Sequence, residues 1–375
     1  MSRILVWLSG GVDSAVAAHL LIQQWHDVIA AFMKNYSEPD NPHCQTRHDR
    51  DMAIKVAEHL GIKQFCIFDF RTEYHERIIQ YIYDGYKAGI TPNPDVFCNN
   101  LIKFDLFLEQ ALAMGCDAIA TGHYARKVNE RGASCGHPSP EERLSDEGEG
   151  LGVRLARALD KTKDQSYFLS RLSQHQLAHA IFPLGELTKV QVRQIAHDIG
   201  LPNADRPDSQ WLCFIGDVPM SDFLKKALPT TEWDILDTSG QKVGTHHGAR
   251  FYTIGQRHQL FLPFKAYVIA TNVDTNTITV GDKDHPMFFT DTITVTQRHW
   301  LAEEYQKNRQ SITCQVKIRY RQDPPVAASL SLWSDEQTMI IQTEEPQRSV
   351  TPWQILVAYD GDLVLGSGII QKTSQ

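Results

Sequence analysis

Five apolar residues, Ile4-Leu5-Val6-Trp7-Leu8, run directly into Ser9-Gly10-Gly11-Val12-Asp13-Ser14. The run is too short for a membrane span and has the composition of a buried strand. The glycines demand a tight turn, and a helical period starts near Ala15. A strand-turn-helix of this kind aims backbone N–H groups and a helix N-terminus at one point, which makes an anion site. No Lys follows the glycines, so this is not a Walker A loop, and the spacing is not G-x-G-x-x-G.

The first 125 residues repeat the theme. Ile4–Leu8, Val28–Met33, Phe65–Phe70 and Ala118–Thr121 read as strands separated by helical stretches, the pattern of a parallel sheet covered on both faces. Helical periods return at Gln165–Leu172 and Lys189–Ile199, the latter stopped by Gly200 and Pro202. Beyond about Gly240 the chain changes to β-branched runs (Thr277–Val280, Thr292–Thr296, Ile312–Ile318, Gln354–Tyr359) with turn residues between them. The expected fold is therefore α/β with three parts. An N-terminal parallel-sheet domain spans 1–205 and includes an acidic surface loop at about 129–150. A small central domain spans 206–280, and a C-terminal β-barrel spans 281–375.

Nothing in the chain resembles a secretory signal or a transmembrane segment, and a cytoplasmic location is expected. Seven scattered cysteines without a CxxC argue against a disulfide framework or a zinc or iron–sulfur cage. The net charge of -8 opposes a general attraction to nucleic acid, but the stretch Pro138–Gly150 alone holds five acidic residues and one basic. An RNA partner would have to rest on local basic stripes such as Lys317-Ile318-Arg319-Tyr320-Arg321, where cations flank an aromatic.

Further candidate residues gather at strand ends. Met33 closes the second strand where an adenine could lie, and Gly122, in Thr121-Gly122-His123-Tyr124, would let backbone approach a nucleotide. Cys98 follows the stiff Thr91-Pro92-Asn93-Pro94-Asp95-Val96 loop and precedes a helix expected from Asn99, whose N-terminal field would favour its thiolate. Cys213 lies in a segment bounded by Pro207 and Gly216. A free cysteine is more often a small buried hydrophobe than a catalyst, so neither is assigned by itself.

The motifs together carry more. Ser-Gly-Gly-Val-Asp-Ser resembles the PP-loop of ATP pyrophosphatases, which cleave ATP between the α- and β-phosphates and adenylate a substrate oxygen. Asn93-Pro94-Asp95-x-x-Cys98-Asn99, TGHYAR, KDQSYFL, FPLGEL, Cys213-Phe214-Ile215-Gly216 and Tyr252–Arg257 stand in one order that resembles the bacterial tRNA-specific 2-thiouridylase family over nearly the whole chain. The resemblance implies ATP bound by Trp7, Leu8, Ser9, Gly10, Gly11, Val12, Asp13, Ser14, Met33 and Gly122, with Mg on Asp13. It implies that Cys213 carries sulfur as a persulfide, with Cys98 as the cooperating nucleophile and Asp95 as acid or base. Asn93, Pro94, Asp95, Lys163, Asp164 and Gln165 match segments that meet the target base, and His123, Arg319, Tyr320 and Gln354 match tRNA-contacting positions. The implied partners are tRNA and a protein that donates persulfide sulfur. Two departures from the family pattern stand out: Gln210-Trp211-Leu212 replaces the frequent Thr-Gly-Ile, and Trp353 precedes Gln354 where a small residue is usual.

Overall fold

The computed structural model describes residues 1–36, 45–129, 152–208, 220–301, 311–332 and 337–371. Strands β1 (Arg3–Trp7), β2 (Asp27–Lys34), β3 (Phe65–Asp69) and β4 (Ala118–Ala120) form the expected parallel sheet. A hairpin of β5 (Ala125–Val128) and β6 (Arg154–Arg157) follows, and β7 (Ala180–Ile181) completes the sheet in the order β3-β2-β1-β4-β7.

Alternation along the strands sorts their side chains into two cores, because successive residues point to opposite faces. Ile4, Val6, Ala30 and Phe32 pack with the helices α1 (Val12–Gln23) and α2 (Gln45–His59) and with Val192 and Ala196 of the helix Lys189–Asp198. Leu5, Ile29, Ala31, Met33 and Ile119 face the helices at 71–87 and 94–113, through Ile78, Ile82, Ile102, Phe104 and Phe107. Burial on both faces explains why these strands read as continuous apolar runs.

Beyond the sheet, β8 (Trp233–Leu236), β9 (Lys242–His246), β10 (Tyr267–Asn272) and β11 (Thr277–Gly281) form a small central sheet. Six antiparallel strands follow: β12 (Phe289–Trp300), β13 (Ile312–Lys317), β14 (Val326–Leu332), β15 (Met339–Arg348), β16 (Ile355–Asp360) and β17 (Leu363–Ile370). Pairing of β12 with β17 closes them into a barrel around Ile293, Val316, Leu330, Ile341 and Leu356. Closure removes the free edges of the sheet.

Two features depart from the sequence reading. The region Gln165–Leu172 is helical only as the 3-10 turn Ser166–Leu169. The hairpin β5–β6 joins the start of β17, ahead of the part paired with β12, through Leu363 and Ala156, so a piece of the N-terminal half extends the C-terminal sheet. Short strands with charged residues leave no periodic signal for such a long-range pairing. The acidic loop lies outside the described residues.

Candidate active site

Chain order places the crevice. From β1 the chain winds outward through β2 to β3, and then returns to β4 and β7 on the other side of β1. The strand order therefore reverses between β1 and β4, where open α/β sheets bind ligands beyond the strand C-termini. The Ser9–Ser14 loop leaves β1 at this point, and Thr121–Tyr124 leaves β4.

The loop is built by its own serines. Ser14 Oγ donates to Gly11 O (3.0 Å) and accepts from Ser9 N (3.1 Å), while Ser9 Oγ accepts from Gly11 N (3.3 Å). Gly10 has φ +80°, and a Cβ there would stand 2.6 Å from Asp49 O, so this turn admits only glycine. Its carbonyl accepts from Asn203 Nδ2 (3.0 Å) and Arg206 Nη1 (3.1 Å), which fixes the turn from outside. Gly11 is the N-cap of α1 without a side-chain cap, so the first N–H groups of a twelve-residue helix face the crevice.

Asp13, in the first turn of α1, belongs to an ionic cluster. Its Oδ1 accepts from Tyr124 Oη (2.8 Å) and from Lys189 Nζ (2.6 Å). Lys189 also bridges to Asp208 Oδ1 (2.7 Å), which Arg193 contacts at 2.6 Å, while Lys163 reaches Asp208 Oδ2 at 2.9 Å. Partial burial acts to raise the Asp208 carboxyl, but the hydrogen bonds from Lys189 and Lys163 prevail and hold it down to about 2. Burial, and then the Asp13 charge, push the Tyr124 hydroxyl up, so it stays a donor to Asp13. Three cations thus face Asp13 and Asp208 beside the anion-binding loop, with Asp160 accepting from Lys189 N at 2.9 Å. Magnesium commonly uses one or two carboxylates together with substrate phosphates. Asp13 fits that role: its side chain is partly exposed and these two bonds engage Oδ1, leaving Oδ2 to meet a cation. Tyr124 belongs to TGHYAR but is not singled out by it, and Lys189 and Asp208 have only their proximity to FPLGEL and the Cys213 segment as a sequence signal.

Met33 and Gly122 enter this site differently from expectation. The Met33 side chain is fully buried in the core and cannot flank an adenine. Its peptide groups can. Ala31 O accepts from Leu8 N, and strand parity turns the N–H and C=O of Met33 the same way, past the end of β1 into the crevice. At Gly122 a Cβ would stand 2.7 Å from Ser14 N and 2.8 Å from Asp13 C. The glycine is required for the TGHY turn to pack on the start of α1, rather than only for close approach of a nucleotide.

The helix carrying Cys98 crosses the same crevice. It starts at Pro94, capped by Asn93 Oδ1 accepting from Val96 N, and runs without a break into a π-helical segment, Asn99–Leu106. Cys98 therefore ends the first turn of an established helix instead of preceding one, and it is 1% exposed. The expected help from a helix start at Asn99 is corrected, since the N-terminal field belongs to residues 94–96. Five residues on, buried Lys103 lies over the Trp7 ring (4.7 Å) and its charge adds to the burial that keeps His123 neutral. A π segment, common at functional sites, thus sets a buried cation where β1 and β4 end. Cys213 falls outside the described residues.

The residues matched to tRNA contacts divide sharply. Asp164 is interior: it pairs with Arg157 (3.1 Å) and Lys317 (3.7 Å) and accepts from Ala158 N and Ser166 N. His123 is buried between Phe104 and Phe182, with Nδ1 bonded to Thr121 Oγ1 at 2.7 Å. In this arrangement both side chains are taken up by internal contacts. Gln354 donates to Thr91 O (2.8 Å) and accepts from Asn93 Nδ2 (3.3 Å), and Gln165 Oε1 accepts from Tyr124 N. These amides clamp the Thr91–Cys98 loop and the TGHY turn, while Pro94 is buried at the helix start. In the basic stripe Lys317 is 2% exposed and ion-paired, because its strand position points out of the barrel onto Asp164 of the N-terminal half, opposite to the core-facing Val316 and Ile318. Arg319 is exposed, and Tyr320 packs on Phe168 with ring centroids 4.3 Å apart. Asp95 and Lys163 are half-buried, and Lys163 reaches the cluster beside the loop through Asp208.

With this geometry in hand, comparison with known proteins is informative. The family model described as tRNA methyl transferase HUP domain matches residues 2–217. The corresponding PRC-barrel model matches 221–282, and an aminomethyltransferase β-barrel model matches 290–370. A tRNA-specific 2-thiouridylase MnmA of Thiobacillus denitrificans is 42% identical over 98% of this chain and 99% of its own length. The protein of the same description from Bacillus subtilis is 39% identical over 98% of this chain and 95% of its own. A solved 4-thiouridine synthetase–RNA complex aligns at a TM-score of 0.32 with 16% identity, over 60% of this chain and 49% of that one, a likeness too slight to argue from. Full-length agreement at this level, on a chain whose loop, clamp and cysteine helix converge on one crevice, leads to a single assignment: the chain belongs to the tRNA-specific 2-thiouridylase family.

Proposed function

We propose that this protein uses ATP to replace the 2-oxygen of a tRNA wobble uridine by sulfur. The observation that carries the reading is the convergence at one switch-point crevice of an anion-binding helix start and the helix bearing Cys98, in a chain matching named thiouridylases end to end. A carbonyl oxygen on a pyrimidine is a poor leaving group. Adenylation solves this: the uridine 2-oxygen attacks the α-phosphorus of ATP, pyrophosphate leaves, and AMP becomes the group later expelled from C2. The loop N–H groups and the cations around Asp208 suit the phosphates, and Asp13 would be the residue to hold a magnesium ion, which would supply positive charge to the pyrophosphate. The methyl-transfer wording of the domain models describes a reaction with no need to activate an oxygen in this way.

Sulfur arrives on Cys213 as a persulfide, handed over by a donor protein. The Cys98 thiolate attacks Cys213 Sγ, a Cys98–Cys213 disulfide forms, and hydrosulfide is released to add at C2 as AMP departs. The disulfide is then reduced by two external thiol groups, which themselves join as a disulfide, before the next cycle. Direct attack of the persulfide on C2, with Cys98 resolving afterwards, uses the same atoms. Asp95, beside Cys98 in sequence, is the acid or base that moves the proton. The chain has no helix among its described residues that is long and apolar enough to cross a membrane, which suits a cytoplasmic tRNA enzyme.

Mass spectrometry of tRNA nucleosides tests the reading. Cells lacking the protein should lose 2-thiouridine from tRNAs for Lys, Glu and Gln, and wild-type protein should restore it. Cys98→Ser and Cys213→Ser should not, although both should still form the adenylate. Unchanged 2-thiouridine in the deleted strain, or full restoration by either variant, refutes the mechanism.

A further inference from the structure

From Thr238 to Val273 the chain contains no Asp or Glu, although its net charge is -8. Lys242, Arg250, Arg257 and Lys265 lie in that stretch. Lys242 is paired with Asp234 at 2.6 Å, whereas Arg250, Arg257 and Lys265 have no carboxylate partner among the described residues. Between these last cations Phe261 is 89% exposed and Phe264 51% exposed. A phenyl left in water forgoes the gain from burial, so an aromatic pair ringed by unpaired cations calls for an explanation.

The loop is not slack. Leu260 is buried, Tyr252 Oη donates to Gln259 O (3.1 Å), and Gln256 Nε2 donates to His258 O (3.0 Å). Leu262 covers Gly244, where a Cβ would come within 2.6 Å of its Cδ2. Gln259 and Phe261 both have positive φ, at 68° and 50°, a conformation that costs a non-glycine residue about 1–2 kcal/mol. Anchors on both sides thus hold the Phe261 ring outward. The root of the loop docks on the candidate active site, because Thr253 and Thr91 share a hydroxyl hydrogen bond of 2.8 Å and Val273 packs on Gly89.

The site itself creates a need for such a ring. Cys98 is 1% exposed and Asn93 9% exposed, so a base stacked inside an RNA loop cannot reach them and must be extruded. Extrusion costs a few kcal/mol of stacking. An aromatic platform at the rim restores part of it, and cations beside the ring hold the flanking phosphates.

We propose that Phe261, with Phe264 next to it, is the stacking platform for the base neighbouring the extruded uridine, and that Arg257 and Lys265 bind the adjoining phosphates. This assignment rests on the reading of the chain as a tRNA-modifying enzyme. The absence of acidic residues across the stretch favours RNA over a protein partner as its occupant.

The test uses the full-length protein and an RNA stem-loop with a uridine in its loop, with binding measured across a range of salt. Phe261→Ala should weaken binding about five- to 150-fold, the range for one base–aromatic stack, without changing the slope of log K against log salt. Phe261→Trp should retain affinity. Arg257→Gln and Lys265→Gln should each lower the slope by about 0.7. The three side chains replaced are exposed, so folding is not at issue. Wild-type affinity in Phe261→Ala overturns the platform while leaving the tRNA reading intact. Failure of the wild-type protein to bind any RNA removes that reading and the platform with it. If Phe261→Ala binds RNA normally but slows thiolation only when a protein donor supplies the sulfur, the loop is a protein-docking face and the proposal is overturned.

Discussion

Asp208→Asn removes the anion shared by Lys163, Lys189 and Arg193 while keeping the shape of the side chain. A carboxyl held at about 2 instead of the ordinary 3.8 corresponds to about 2 kcal/mol of folding free energy. Solvent reaches 26% of the Asp208 side chain, so screening reduces this to about 1–2 kcal/mol. The sign follows from the depressed value. The contribution is complete above pH about 4, where the unfolded carboxyl is ionised, and it is lost as pH falls through about 2. Urea unfolding of wild type and variant at pH 7, 5, 4, 3 and 2.5 should therefore show a constant deficit of about 1–2 kcal/mol down to pH 5 that closes at lower pH. A double-mutant cycle with Lys163→Met should give a coupling of about 0.5–1 kcal/mol. A deficit that persists unchanged at pH 2.5, or none at pH 7, refutes the assignment of this cluster's charge to Asp208.

Gly122→Ala should displace the start of α1, since the new Cβ would meet the backbone of Asp13 and Ser14. Destabilisation of about 1–3 kcal/mol is expected, with roughly tenfold weaker ATP binding by calorimetry; wild-type ATP affinity would count against the packing argument. In the barrel, Arg319→Ala should leave stability within about 0.5 kcal/mol of wild type and lower the salt dependence of RNA binding. Tyr320→Ala should instead cost stability, because its ring lies against Phe168. Equal unfolding midpoints for the two variants would show that this packing contributes nothing.

Much of the scaffold was legible because its signals are local. Of the four apolar runs that became strands, β1, β2 and β4 are buried on both faces while β3 forms the partly exposed edge, and the glycine turn after β1 dictates where α1 begins. The strand β7, two residues long, left no periodic trace. Neither did the hairpin β5–β6, whose partner in the barrel lies two hundred residues away in sequence. The loop Ser9–Ser14 could be named from residue types alone, since only a few residues satisfy its geometry, whereas the helix expected from Asn99 starts at Pro94 and takes in Cys98.

The sequence by itself determined the fold class, the nucleotide loop and the family. Tertiary structure alone decided which matched residues face a ligand. Asp164 and His123 sit in motifs that match RNA contacts, yet burial commits them to internal hydrogen bonds. Gln354 and Asn93, 261 residues apart, form a clamp that neither segment encodes alone. Lys189 and Asp208 gain their roles only because the helix Lys189–Asp198 packs beside α1 and brings a cation onto Asp13. The physical reason is the same in each case. Residue type fixes what a side chain can donate or accept, but a polar group removed from water must be satisfied by whatever the fold places beside it, and that neighbour is set by long-range packing.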